Sequence, residues 1–186
     1  VSCDDLSADF ANADLSQYVL LIIGRDEPAL ADGERLRQFA SAGGTVLIHC
    51  PTAEVEAHLK ALIPAVKAVK RCRPKGSLVK RRDDSLMEGL SNSDFFWYRQ
   101  DCWWEGWEGG HTGSGLIQNP AGWQVEVDVE AGIAFTRPAA IVSIPHGQGA
   151  FVINTVRWDD ADEEVADKAS RIASTLLFNL GASFGP

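Results

Sequence analysis

An α/β fold, a three-layer sandwich built on a mostly parallel sheet, is what this sequence predicts. Three observations predict it. The apolar runs Tyr18 to Gly24 and Thr45 to His49 read as strands. Each is followed closely by a helical pattern, which makes a βαβα unit with right-handed crossovers. The chain closes on a glycine-turned hairpin and one long amphipathic helix.

Residues 1–17 are polar and acidic and carry no strong period. The run YVLLIIG (18–24) is continuously apolar and ends in glycine, as a strand buried on both faces would be. Asp32 caps a helix to about Ala42, with Leu36, Phe39 and Ala40 on one face, and Gly43-Gly44 stops it. The second strand, Thr45 to His49, follows. Thr52 caps a second helix over residues 53–62, and Pro64 lies just beyond its end. Residues 66–83 form a basic stretch, read as a strand pair or loop facing acidic neighbours. From Trp123 the pattern turns to β: residues 124–129 alternate, 132–135 are short and 140–144 are apolar. The turn His146-Gly147-Gln148-Gly149 joins the last pair of strands into a hairpin ending at Asn154. Asp160 or Asp162 caps the final helix, whose stripe is Val165, Ala169, Ile172, Leu176 and Leu180; Gly181 stops it.

At 186 residues, one domain over 1–186 is expected, with chain enough for a sizeable core. Hydrophobic residues make up 45% and charged residues 23%, an ordinary globular balance. Asp and Glu (26) outnumber Lys and Arg (17) for a net charge of -9. That acidity argues against nucleic acid or an anionic membrane as partner. No apolar run approaches the roughly 18 residues that span a bilayer. The chain opens without Met and without a signal peptide, which reads as a mature product or a piece of a longer chain. Of four cysteines, Cys3, Cys50, Cys72 and Cys102, none forms a C-x-x-C pair, so no structural zinc is expected, while up to two disulfides are allowed.

Cys50 is a near miss. A strand runs straight into it and a helix follows, the place where an α/β hydrolase or a class I glutamine amidotransferase carries its nucleophile. An elbow of that kind uses the N–H of the next residue as an oxyanion donor. Here the next residue is Pro51, which has no N–H. His146 sits where an amidotransferase places its histidine, but Gly147 and Gln148 follow it and no His-x-Glu is formed. His49 adjoins Cys50, yet strand neighbours point to opposite faces.

A second feature is aromatic. Phe95, Phe96, Trp97, Tyr98, Trp103, Trp104 and Trp107 crowd together, with a glycine-rich stretch around His111 behind them. Flat aromatic faces stack on sugar rings, and Asp101, Glu105 and Glu108 can accept bonds from sugar hydroxyls. The same side chains would equally cap a core or an interdomain contact. Asp101, Glu105 and Glu108 also raise the two-carboxylate chemistry of glycosidases, but a loop holds such a pair poorly. The acidic run Asp159 to Glu164 suits a helix N-terminus better than calcium, since no EF-hand spacing is present. Arg157 and Asp94 read as an ion pair pinning the aromatic segment.

Several pieces in order carry a resemblance: YVLLIIG, AGGTVLIH, Gly89-Leu90-Ser91-Asn92-Ser93-Asp94-Phe95-Phe96-Trp97, the glycine turn before Phe151-Val152-Ile153, Val156-Arg157-Trp158, and Asn179-Leu180-Gly181. Over about residues 18–181 the chain resembles the glutamine-amidotransferase-like domains attached to bacterial glycoside hydrolases of the β-galactosidase and family 2 type. The resemblance implies a flavodoxin-like fold with an aromatic-rich insertion, serving as an accessory part without its own active site. The superfamily opens with one more strand, which residues 1–17 do not clearly supply, so the parent chain is expected to be longer.

The expected function is therefore that of a non-catalytic accessory domain of a carbohydrate-active protein, binding glycan or mediating domain or subunit assembly. Its contact residues would be Trp97, Tyr98, Asp101, Trp103, Trp104, Glu105, Trp107, His111 and Arg157. No cofactor and no metal are expected. The partners would be carbohydrate, neighbouring domains of a larger enzyme, or further copies in a homo-oligomer. A glycan role and four cysteines lean towards an extracellular or periplasmic setting. The alternative is a small hydrolase or amidotransferase relative using Cys50 with His146. A third class is a purely structural interaction domain.

Overall fold

The computed structural model describes residues 3–24, 28–71, 85–91, 94, 123–128, 136–139, 141–156, 158 and 166–183. They form an α/β structure with a mixed, mostly parallel four-stranded sheet and three α-helices. The chain divides into two compact units interleaved in sequence: residues 1–70, 123–155 and 183–186, and residues 71–122 and 156–182.

The first unit is organised by its sheet. Strands β1 (Leu20–Ile23), β2 (Thr45–His49), β6 (Ile141–His146) and β7 (Gly149–Asn154) lie in the order β1-β2-β7-β6. β1, β2 and β7 are parallel, with Ile23 beside Ile48 and His49 beside Asn154. β6 returns antiparallel to β7, so the expected hairpin is present. A second sheet has the order β3 (Val66–Arg71), β4 (Trp123–Asp128), β5 (Thr136–Ala139). β5 falls between the β stretches expected at 132–135 and 140–144, and it contains Pro138, which cannot donate a ladder bond. It is an edge strand, the position where proline is tolerated.

Helix α1 (Gly33–Ser41) forms where its cap and stripe predict. The Asp32 carboxylate accepts from the Arg35 N–H, and Leu36, Phe39 and Ala40 are buried. Thr52 opens the second helical segment, whose first turn is a 3-10 turn (Ala53–Val55) before α2 (Glu56–Leu62). Val46, Ile48, Phe151 and Ile153 pack in one core with Leu36, Phe39, Leu59 and Leu62. Leu47 and Val152, on the other face, are also buried.

Two expectations change. β1 is not buried on both faces: Val19 is 63% and Ile22 55% exposed. Burial alternates along β1, so one face is covered and the other is open, and β1 stands at the sheet edge. Residues 3–17 are not featureless either. Leu15 is buried, and Leu6, Phe10 and Ala13 pack against the core. The Arg35 guanidinium donates to the carbonyls of Ala11 and Ala13 and lies over the Phe10 ring at 5.2 Å, while Tyr18 donates to Asp4 at 2.8 Å.

In the second unit the described residues centre on α3 (Ala166–Asn179). Ala169, Ile172 and Leu176 are its buried stripe, and Gly181 ends it at φ +93°. Side chains of α3 hold residues 85–94. Asn179 donates to the carbonyls of Leu86 (2.9 Å) and Glu88 (2.8 Å). Arg171 donates from Nε to Asp94 (2.7 Å) and from Nη2 to the Gly89 carbonyl (3.1 Å). The expected partner of Asp94, Arg157, lies outside the described residues.

Burial raises the Asp94 carboxyl, but the Ser91 N–H and hydroxyl and the Arg171 guanidinium outweigh it and hold the group below its ordinary value. A carboxyl lowered by folding contributes stability above its unfolded pKa of about 3.9, and that contribution fades as pH falls through the folded value. Chemical denaturation of Asp94→Asn against the parent chain is expected to show a deficit of about 1 kcal/mol near neutrality that shrinks below about pH 4. A deficit that is constant with pH would mean that the carboxylate charge is not the stabilising feature.

Candidate functional site

Ligand crevices of open α/β sheets lie at the carboxyl ends of their parallel strands. Here that edge is where β2 runs into His49 and Cys50 and β7 into Asn154 and Thr155. The described polar residues that are buried are His49 (9% exposed), Asn154 (0%) and Thr155 (1%), all at this edge. Burying polar groups is unfavourable unless they are bonded, so their collection at one place marks it.

The geometry is specific. Asn154 Nδ2 lies 2.8 Å from His49 Nδ1. With the amide as donor, the imidazole carries its proton on Nε2. The Cys50 N–H donates to the Asn154 carbonyl at 2.6 Å. Asn154 therefore meets the last residue of β2 through its side chain and the residue after it through its backbone.

Cys50 has φ +51°, and among the described residues it is the one non-glycine in that region. This is the left-handed conformation that an L-residue adopts at an energetic disadvantage, and it is the turn a nucleophile elbow requires. The strand, the strained residue and the following helical segment are thus all present. Two further requirements of such an elbow, an accessible thiol and an N–H on the next residue, are not met. The Cys50 thiol is buried, at 3% exposed, and Pro51 after it is buried as well. Pro51 has no N–H to offer a developing oxyanion.

The Cys50–His146 pairing does not form. His146 pairs with Gly149 at the start of β7, whereas Cys50 follows His49, which pairs with Asn154 at the end of β7. Five strand steps separate these ends, about 16 Å at roughly 3.3 Å per residue. His146 instead lies edge-on to the Phe151 ring, with centroids 5.2 Å apart. The sequence placed His146 in the right turn but could not say at which end of the sheet that turn lies.

The contact residues expected from the aromatic feature, Trp97, Tyr98, Asp101, Trp103, Trp104, Glu105, Trp107, His111 and Arg157, lie outside the described residues. So do Glu108, Cys72, Cys102 and the Asp159 to Glu164 run. Cys3 is a free, exposed thiol. Among the described residues no group of three or more His, Cys, Asp and Glu side chains is placed to hold a metal ion, and no helix is long and apolar enough to cross a membrane.

Sequence reasoning missed Asn154 and Thr155. The signal was there: FVIN and VLIH are two apolar strands that each end on a polar residue. A separate depression of about 590 Å³ lies between residues 13–16 and α1. Its polar groups bond within the protein: Asp14 accepts from Ser16, Asp32 from the Arg35 N–H, and Glu34 from Arg37 and Gln38. No family model and no curated protein matches this chain.

Proposed function

We propose that this chain is a flavodoxin-like, glutamine-amidotransferase-like accessory domain that makes contacts instead of catalysing, as part of a longer carbohydrate-active protein. The observation that carries this reading is Cys50. Its backbone keeps the elbow turn, but its thiol is buried and the residue after it is Pro51. A nucleophile needs access, a base and an oxyanion donor. Access is closed, the His146 base stands at the far end of β7, and the backbone donor is missing. Retaining the fold of such a site without its chemistry fits a domain kept for what it touches.

The touching surface in this reading is the aromatic run Trp97 to Trp107 with His111 and Arg157, binding glycan or a neighbouring domain. Ring faces stack on the C–H faces of sugars, and Asp101 and Glu105 take hydroxyl bonds. Titration with a panel of soluble polysaccharides and oligosaccharides, followed by tryptophan emission, tests it. A saturable shift is expected for the parent chain and for Cys50→Ala, and its loss in Trp103→Ala and Trp104→Ala. A folded protein that responds to no member of the panel would defeat the glycan arm and leave domain or subunit assembly.

A further inference from the structure

We infer that the outer edge of β1 is a self-association surface, on which β1 of a second copy of this chain pairs antiparallel about a two-fold axis. No residue of the aromatic run enters it, so it stands apart from the function proposed above. The strand offers an unused ladder. The Thr45 N–H donates to the Val19 carbonyl at 2.9 Å, and Leu21 stands beside Val46. Main-chain groups alternate along a strand, so Val19, Leu21 and Ile23 address β2, while the N–H and C=O of Leu20 and Ile22 point away from it. Among the described residues nothing bonds to those outward groups. The Ile22 side chain is 55% exposed, and residues 18–24 carry no charge.

A bare edge is a template for another chain unless something blocks it. The other edges of the two described sheets are blocked. β6 carries Pro145 and β5 carries Pro138. On β3 the Glu56 carboxylate accepts the Val69 N–H at 2.8 Å, and Lys67 and Lys70 put charge on the strand. β1 has none of these devices. Its own symmetry names the occupant. With Leu21 on the two-fold axis, Leu20 faces Ile22 of the second copy, and Ile22 faces Leu20 of the second copy. Both are outward-pointing residues, so each pair exchanges N–H···O bonds in phase. Their side chains meet on the open face as apolar cross-strand pairs, which covers Ile22. Tyr18 then lies opposite Gly24 of the second copy, an aromatic ring over an edge glycine. No charge enters the strip, whereas the net charge of -9 opposes any broader contact between copies.

Sedimentation velocity of the full chain from about 5 to about 500 μM tests this, with a reductant present so that the exposed Cys3 does not cross-link copies. A ladder of four residues a side buries less than the roughly 1,200 Å² of a stable complex, so a reversible dimer with a Kd of about 100 μM is expected. Added salt should tighten it, because the copies repel each other and the ladder is uncharged. Ile22→Lys should weaken it about tenfold or more, since a lysine is the usual guard of a strand edge. Should that variant fold poorly, hydrogen exchange of the parent chain followed by NMR decides. The Leu20 and Ile22 amides are expected to slow about threefold between the dilute and concentrated ends, while Leu21 and Ile23, already bonded to β2, change little. A chain that stays monomeric at about 500 μM would overturn the inference. So would a dimer that Ile22→Lys leaves intact with unchanged exchange at Leu20 and Ile22, because the contact would then lie elsewhere.

Discussion

Gly149→Ala is expected to be among the most damaging single-methyl changes in the first unit. The hairpin turn between β6 and β7 lies against the end of α1: the Gln148 N–H donates to the Ser41 carbonyl and the Ala150 N–H to the Gly44 carbonyl. A Cβ at Gly149 would meet the Gly44 carbonyl, sit 2.7 Å from the Ala40 carbonyl and 2.9 Å from Gly43 C. All of these are backbone atoms, so no rotamer change relieves the overlap. Either the hairpin lifts off α1 or β7 shifts in register. The loss should be about 3 kcal/mol or more, roughly 6–12 °C in melting midpoint for a chain of this size. Gly181→Ala is the control. Gly181 has φ +93° but nothing within 4 Å of its added Cβ, so only backbone strain of about 1–2 kcal/mol applies. Equal effects at the two sites, measured by thermal denaturation, would mean that close approach is not what demands glycine at 149.

Asn154→Leu is expected to have the next largest effect. Leucine matches asparagine closely in shape, so the change removes polarity more than volume. The backbone carbonyl still receives the Cys50 N–H. What disappears is the side-chain bond to His49 Nδ1, in a position with no solvent to replace it. A buried acceptor left without that donor should lower stability by about 1–3 kcal/mol. His49→Leu should lose a similar amount, and the double variant should recover part of it, because removing both partners leaves neither stranded. Denaturant midpoints of the four proteins close this cycle. Strict additivity would show that the two side chains do not stabilise each other.

The parts of the fold legible in the sequence were local. Asp32, Leu36, Phe39 and Ala40 specify α1 because cap and stripe lie within one helix. The glycine turn at 147–149 specifies the β6–β7 hairpin for the same reason. What was not legible was non-local. An apolar run such as YVLLIIG is the same string at the edge or the centre of a sheet, so the exposure of Ile22 could not be read. The anchoring of residues 3–17 depends on Arg35, a residue in another element. His49 and Asn154 stand 105 positions apart and meet only because β2 and β7 are neighbours. At the candidate site, the proline after Cys50 was readable, whereas the left-handed turn at Cys50 was not. The glycan-facing residues expected from composition lie outside the described residues.

The alkylation rate of Cys50 distinguishes an elbow backbone without a working nucleophile from an active thiol. Peptide-resolved mass spectrometry of the native protein with iodoacetamide near neutral pH gives it, with the exposed Cys3 thiol as internal standard. A catalytic cysteine is an accessible thiolate and outpaces an ordinary thiol. Cys3 is expected to react freely, while Cys50 lags it by about a hundredfold or more and becomes equal to it only after denaturation. A Cys50 that reacts as fast as Cys3, or faster, in the folded protein would show an accessible thiol and restore the hydrolase or amidotransferase alternative.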